Sequence, residues 1–80
     1  MYCTAACPYC QEAERLLVYK GAGTIEKIRV DLEPARREEM MHRSGRSSVP
    51  QIWVGELHVG GCDELQDLER EGRLDQLLAS

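Results

Sequence analysis

The most informative stretch of this chain is Cys7-Pro8-Tyr9-Cys10. Two cysteines separated by two residues at a predicted helix start bring both sulfurs within bonding distance around the first helical turn. The unpaired N–H groups and macrodipole of a helix start favour the negatively charged thiolate of Cys7. Pro8 suits the first helical position, because its missing N–H would have no intrahelical partner there. The pattern predicts a redox-active dithiol, although taken alone it also fits half of a zinc site or a chance pair.

The composition is that of a small, acidic domain. Its 80 residues carry a formal net charge of −4, which argues against nucleic-acid backbones and anionic membranes as partners. No run approaches the ~18 apolar residues of a membrane-spanning helix, and no charged start followed by an apolar run indicates a signal peptide. We therefore predict a single domain over residues 1–80, located in the cytoplasm, where a C-x-x-C pair is more often catalytic than structural.

Apolar periodicity predicts a strand, a helix and a second strand in the first half of the chain. A short strand over residues 1–4 precedes a helix over residues 8–20, which Gly21 ends as a left-handed cap. Residues 28–32 form the second strand, with one buried face made by three alternating apolar residues: Ile28, Val30 and Leu32.

The second half of the chain is predicted to contain a helix, a β-hairpin and a final helical region. Pro34 begins a helix that runs to residue 43, and residues 51–54 and 57–59 form a hairpin about Gly55-Glu56, where glycine at the first central position suits a type II′ turn. A last helical region with leucines at helical spacing is interrupted near Gly72. A right-handed crossover makes the first two strands parallel, and the hairpin adds an antiparallel pair.

This order of elements, with the cysteine pair after the first strand, resembles the glutaredoxin family of the dithiol type, most closely its small bacterial glutathione-dependent members. The resemblance covers essentially the whole chain, and Arg43-Ser44-Gly45-Arg46 fits it as well. It implies an α/β thioredoxin fold, with a four-stranded mixed sheet in the order β-α-β-α-β-β-α and helices on both faces. Three blocks at the family's spacing carry it: Cys7-Pro8-Tyr9-Cys10, Ser48-Val49-Pro50 and Gly60-Gly61-Cys62-Asp63.

The second block implies one wall of a glutathione site. The family holds the proline of this block, Pro50, in the cis form, which is far cheaper before proline than before other residues. The turn through Ser48 and Pro50 then presents the N–H and C=O of Val49 to a peptide-like substrate, which pairs with them as an added strand. The residues by themselves also allow a plain proline at a strand start.

The third block implies the other wall. Gly61, Cys62 and Asp63 lead into a helix whose free N–H groups can bind a carboxylate, and by resemblance this helix start takes the γ-glutamyl end of glutathione, with Asp63 facing its ammonium. A simple N-cap role for Asp63 is compatible with this. Tyr9 would flank the groove. Arg37 matches a position at which the family contacts the glycyl carboxylate, although the sequence equally allows a solvated helix arginine.

One stretch departs from the family pattern. Members usually carry a lysine or arginine a few residues before the first motif cysteine, whereas this chain has Thr4-Ala5-Ala6. The helix start must therefore supply more of the thiolate stabilisation. Cys3 is predicted to be a small buried residue, and with His42 and His58 isolated we expect no metal site.

These observations predict a glutathione-dependent thiol–disulfide oxidoreductase that acts as a monomer. Cys7 attacks a protein disulfide or a glutathione mixed disulfide, Cys10 resolves the protein mixed disulfide, and glutathione, a co-substrate and not a bound cofactor, restores the dithiol. Two alternatives remain open. One is a thioredoxin-like reductant served by a flavoenzyme reductase. The other is a glutaredoxin dimer that holds a [2Fe–2S] cluster, although proteins of that type usually have glycine or serine in place of Pro8.

Overall fold

Alternating strands and helices make up the computed structural model, which describes residues 1–79. Both long helices begin at a proline, as the sequence predicts, because proline at the first helical position forfeits no intrahelical hydrogen bond. The eight elements of the described residues are β1 (Tyr2–Cys3), α1 (Pro8–Tyr19), β2 (Ile28–Arg29), α2 (Pro34–Ser44), β3 (Ile52–Val54), β4 (Leu57–Gly60), α3 (Cys62–Arg70) and α4 (Leu74–Ala79).

The strands form two pairs that one bridge joins. β1 is parallel to β2, and β3 is antiparallel to β4. An isolated antiparallel bridge between Tyr2 and Gln51 connects the pairs, with N–H···O distances of 2.9 and 3.2 Å in the two directions. The strands therefore lie in the order β2-β1-β3-β4, and the predicted thioredoxin fold with its mixed sheet is confirmed.

Helices cover both faces of this sheet. Ile52 packs with residues of α1, α3 and α4, among them the fully buried Leu65. The next residue of the same strand, Trp53, packs against the other cluster, which includes Met40 of α2. Successive strand residues point to opposite faces, so α2 lies on one side of the sheet and the other three helices lie on the other side. Burying a side chain such as Leu65 stabilises the fold by about 1.5–3 kcal/mol.

One local expectation differs from the structure. The strand predicted over residues 28–32 ends at Arg29, and the chain turns through the next residues, so Val30 is buried whereas Leu32 is 68% exposed. The alternation rule applies only while the backbone stays extended. The interruption predicted near Gly72 is confirmed, because the final helical region is two helices, α3 and α4, on either side of that residue. No helix within residues 1–79 is both long enough and apolar enough to cross a membrane.

Candidate active site

Cys7 is the N-cap residue of α1. Its backbone is extended (φ −91°, ψ 113°), and its carbonyl accepts the first intrahelical hydrogen bond, from the N–H of Gln11 at 3.2 Å. The first turn contains no acidic residue, and no side chain caps it. The half-buried thiol of Cys7 therefore lies beside the unpaired N–H groups of a helix start with no carboxylate of that turn competing for them.

Cys10 lies on the buried side of the same turn and is only 4% exposed. Burial is the largest of the causes that raise the pKa of Cys10 to about 12, and a hydrogen bond with Cys7 and the charge of that sulfur add to it, while the backbone N–H of Thr4 acts in the opposite direction. Cys10 is therefore a neutral thiol at physiological pH. All four cysteines are free, so the structure shows the dithiol state.

The loop that contains Pro50 lies directly against the cysteine pair. The peptide bond between Val49 and Pro50 is cis, as the resemblance implied. The Cys7 thiol contacts the Val49 carbonyl, with an S···O distance of 3.9 Å across a separation of 42 residues in the chain. Tertiary packing thus places the backbone of the cis-proline loop beside the sulfur at the helix start.

A cleft of about 210 Å³ opens between this loop and the start of α3. Seven of the residues predicted for the site line it: Tyr9, Ser48, Val49, Pro50, Gly61, Cys62 and Asp63. Three residues that the sequence analysis did not assign to the site line it as well: Arg46, Gln51 and Glu64.

The start of α3 is capped from within by Glu64. Its Oε1 accepts the N–H of the N-cap residue Gly61 at 2.8 Å and a hydrogen bond from Nη1 of Arg46 at 2.5 Å. The Gly61 N–H, followed by Arg46, lowers the pKa of Glu64. The N–H groups of Cys62 and Asp63 lie in the first turn of α3, where they have no intrahelical acceptor, so they remain available to an anionic ligand in the cleft.

A side chain is disfavoured at both glycines that precede α3. Gly60 has a φ of +115°, and a Cβ there would lie 2.5 Å from Oε1 of Glu64. A Cβ on Gly61 would lie 3.3 Å from the Pro50 carbonyl oxygen across the cleft. Side chains at these positions would therefore displace the cap of α3 or the cis-proline loop.

Arg37 lies apart from the cleft lining. Its Nη2 donates a hydrogen bond to the carbonyl of Ser47 at 3.1 Å, next to the cleft residue Ser48. The structure therefore brings Arg37 to the loop that borders the cleft and gives it a backbone partner there. Its role toward a carboxylate stays a prediction.

An acidic residue lies beside the stretch that lacks the family's usual cation. The carboxylate of Asp31 accepts a hydrogen bond from the backbone of Ala5, just ahead of Cys7. The Arg29 guanidinium, at 2.6 Å, is the main cause that lowers the pKa of Asp31 to about 2. The Arg29–Asp31 ion pair adds little net charge to this stretch.

The remaining two thiols are buried. Cys3 and Cys62 are 4% and 5% exposed, and burial is the main cause that raises the pKa of each. Nε2 of Gln66 contacts the sulfur of Cys62 at 3.6 Å. Within residues 1–79, no group of three or more His, Cys, Asp or Glu side chains could hold a metal ion.

Known proteins resemble this chain over nearly its full length. The family model described as Glutaredoxin matches residues 1–59. A glutaredoxin of Pseudomonas aeruginosa is 50% identical over 80 residues, which cover 100% of this chain and 94% of that protein. The solution structure of a glutaredoxin from Brucella melitensis is 49% identical with a TM-score of 0.83, covering 96% of this chain and 83% of that one. The crystal structure of a buckwheat glutaredoxin–glutathione complex has a TM-score of 0.89 at 27% identity, covering 98% of this chain and 73% of that one.

Proposed function

The chain belongs to the glutaredoxin family of thiol–disulfide oxidoreductases, and on that premise we propose that it uses glutathione to reduce protein disulfides and glutathione mixed disulfides through Cys7 and Cys10. The observation that carries the proposal is the cleft between the Val49 backbone and the start of α3, together with the contact between the Val49 carbonyl and the Cys7 sulfur. A backbone edge and a helix N-terminus are what a small anionic peptide needs for binding.

The first step is attack by the Cys7 thiolate on one sulfur of the substrate disulfide. A Cys7 mixed disulfide forms, and the other substrate sulfur leaves as a thiolate that takes up a proton. When the substrate is a protein, Cys10 loses its proton and attacks the Cys7 sulfur, which releases the second substrate thiol and forms the Cys7–Cys10 disulfide. Two glutathione molecules then reduce this disulfide and leave as glutathione disulfide.

The glutathione moiety would lie along the cleft with its sulfur toward Cys7. Its backbone forms hydrogen bonds with the N–H and C=O of Val49 in the turn of Ser48-Val49-Pro50. Its γ-glutamyl carboxylate accepts hydrogen bonds from the N–H groups of Cys62 and Asp63. The Asp63 carboxylate faces the ammonium. The side chain of Tyr9, which is 61% exposed at the mouth of the cleft, flanks the ligand.

Arg37 extends this assignment to the other end of glutathione, where it pairs with the glycyl carboxylate. It already contacts the loop that borders the cleft. The reaction needs a pool of reduced glutathione, which fits the cytoplasm, and a protein disulfide or a glutathionylated protein as substrate. We propose a monomer, because the cysteines and the cleft all belong to one chain.

The test is turnover of a small glutathione mixed disulfide by the purified protein. We expect reduction when glutathione, glutathione reductase and NADPH are supplied, and none when thioredoxin reductase and NADPH replace them. The reverse result would identify a thioredoxin-like reductant. Purification of a coloured dimer containing iron and glutathione would instead identify the cluster-binding alternative, which the Pro8 ring next to Cys7 disfavours.

Asp63→Ala is expected to raise the KM for the glutathione substrate about fivefold with little change in kcat. The reason is the loss of a charge facing the substrate ammonium, which is worth about 1 kcal/mol in high dielectric. Steady-state kinetics on the mixed disulfide measure this. Asp67→Ala, one turn further along α3 and paired with Arg70, is the matched control and should leave KM unchanged. In the structure the N-cap is Gly61 and Asp63 lies inside the first turn of α3, so an unchanged KM in Asp63→Ala with a lower melting temperature would show that Asp63 only stabilises the helix start through its negative charge.

A further inference from the structure

The side chain of Gln51 is completely buried directly behind the cleft. It is 0% exposed and follows Pro50 in the chain. Its Nε2 donates a hydrogen bond to the carbonyl of Ser48 at 3.0 Å and lies 3.4 Å from the Ser48 hydroxyl. This buried amide is hydrogen-bonded to the cis-proline loop. Moving it away from the loop would leave buried polar groups without partners, and each would cost its full desolvation penalty.

These partners determine the orientation of the Gln51 amide. The Ser48 carbonyl can only accept, so the NH₂ group must face it and the Gln51 Oε1 must point away. That oxygen lies 2.8 Å from Nε2 of His58. Since Oε1 is an acceptor, Nε2 of His58 must carry the proton. Both the neutral Nε2–H form and the imidazolium provide this donor.

His58 is in turn held by an aromatic neighbour. Its ring stacks on Trp53, directly opposite on β3, with centroids 4.4 Å apart and an interplanar angle of 28°. The Arg43 guanidinium also lies 4.4 Å from the centroid of the Trp53 ring. A continuous set of contacts thus runs from the hairpin through His58 and Gln51 to Ser48, at the edge of the cleft.

We propose that Gln51 and His58 are positioning residues for the substrate-binding edge. His58 orients the Gln51 amide, and that amide holds the Ser48 carbonyl, so that the adjoining Val49 N–H and C=O face the cleft. This inference rests on the proposed function, because it assigns the Val49 edge to the glutathione moiety. It predicts effects on substrate binding, since neither side chain touches the reacting sulfurs.

Three substitutions of His58 separate hydrogen bonding from ring stacking. His58→Gln places a donor nitrogen close to the original Nε2 position, His58→Asn places its amide too near the backbone to reach Gln51, and His58→Phe keeps the ring on Trp53 without a donor. We expect the KM for the glutathione mixed disulfide to rise three- to tenfold in the Asn and Phe variants, with kcat within twofold of wild type. The Gln variant should stay within twofold in both.

Other patterns overturn the proposal. A wild-type KM in His58→Phe would mean that stacking alone matters, and equal losses in His58→Gln and His58→Asn would mean that the residue only fills space. The melting temperature of each variant is measured as well, and the changes in KM should not correlate with the changes in melting temperature. If His58 acts through Gln51, adding His58→Phe to Gln51→Met should not raise KM beyond the value of Gln51→Met alone. A KM increase equal to the product of the two single effects would show that the two residues act independently and would contradict the proposal.

A spectroscopic measurement tests the same contact without turnover. The ¹⁵N shifts of the imidazole in the wild-type protein should report a protonated Nε2 at neutral pH, and an unprotonated Nε2 would overturn the inferred orientation of Gln51. The wild-type assay separates the two levels of inference. Absence of glutathione turnover in wild type refutes the proposed function, whereas wild-type turnover with unaltered KM in the Asn and Phe variants refutes only the positioning role.

Discussion

Replacing Cys7 by serine is expected to abolish both activities, the reduction of protein disulfides and the removal of glutathione from mixed disulfides, by at least about a thousandfold. The thiolate is the attacking species in thiol–disulfide exchange, and a serine hydroxyl neither ionises near neutral pH nor forms a disulfide. None of the other cysteines can substitute, because each is 5% exposed or less and burial is the main cause that raises the pKa of each above its ordinary value.

The measurement is the rate of both reactions at equal concentrations of folded protein. Cys3→Ala is the matched control, since it removes a buried thiol that faces no substrate, and it should keep most of the activity. If Cys7→Ser retained more than a few per cent of either activity, the nucleophile would have to be another sulfur, and the assignment of Cys7 would be wrong.

Cys10→Ser is expected to keep the removal of glutathione from mixed disulfides and to lose the reduction of protein disulfides. Removal of glutathione from a mixed disulfide needs one sulfur, because a second glutathione can release the Cys7 adduct, so this rate should stay within a few-fold of wild type. Reduction of a protein disulfide needs Cys10 to attack the Cys7 mixed disulfide from within the same chain. Losing an intramolecular partner forfeits its high effective concentration, and we expect this rate to fall by about a hundredfold or more.

The electrostatics of the pair support the proposal that Cys10 acts second. Burial, with smaller contributions from the hydrogen bond and charge of Cys7, raises the pKa of Cys10 to about 12 in the dithiol state. Once the Cys7 sulfur is part of a mixed disulfide it carries no negative charge, so that contribution disappears. The pKa of Cys10 should then fall at the step in which it must lose its proton and attack.

Acid trapping followed by intact-mass analysis checks this order. In Cys10→Ser, a covalent adduct between Cys7 and the protein substrate should accumulate, whereas wild type should pass on to the Cys7–Cys10 disulfide. Equal loss of both activities in Cys10→Ser, without an accumulated adduct, would contradict the resolving role.

Much of the fold could be predicted because its signals are local. Proline at the first position of a helix and glycine at its end act within one turn, which is why the starts of α1 and α2 are at Pro8 and Pro34 as predicted. The hairpin follows from the two residues of its turn, and Gly55 has the positive φ expected there. The early end of β2 was not predictable from alternation, because Leu32 continues the period of two after the backbone has turned.

The candidate site also has some features that the sequence predicts and others that only the tertiary structure shows. The cysteine pair, the cis-proline block and the glycines before α3 could be recognised from residue types and spacing. The spacing of Gly61 and Glu64, three residues apart, is typical of a helix cap and can be read from the sequence. Nothing in the sequence indicates that Glu64 also pairs with Arg46, 18 residues earlier. Gln51 appeared only as a polar residue at the start of a strand.

By itself, then, the sequence determined the order of elements, the place of the dithiol at a helix start and the family, because each depends on neighbours within a few positions or on short blocks at set spacing. Only the tertiary structure decided that Val49 meets Cys7 across 42 residues, that Cys10 is buried, and that His58 reaches Gln51 beneath the cleft. The physical reason is that burial and hydrogen-bond partners are set by how distant segments pack, and the same local pattern is compatible with many such arrangements until the core closes around it.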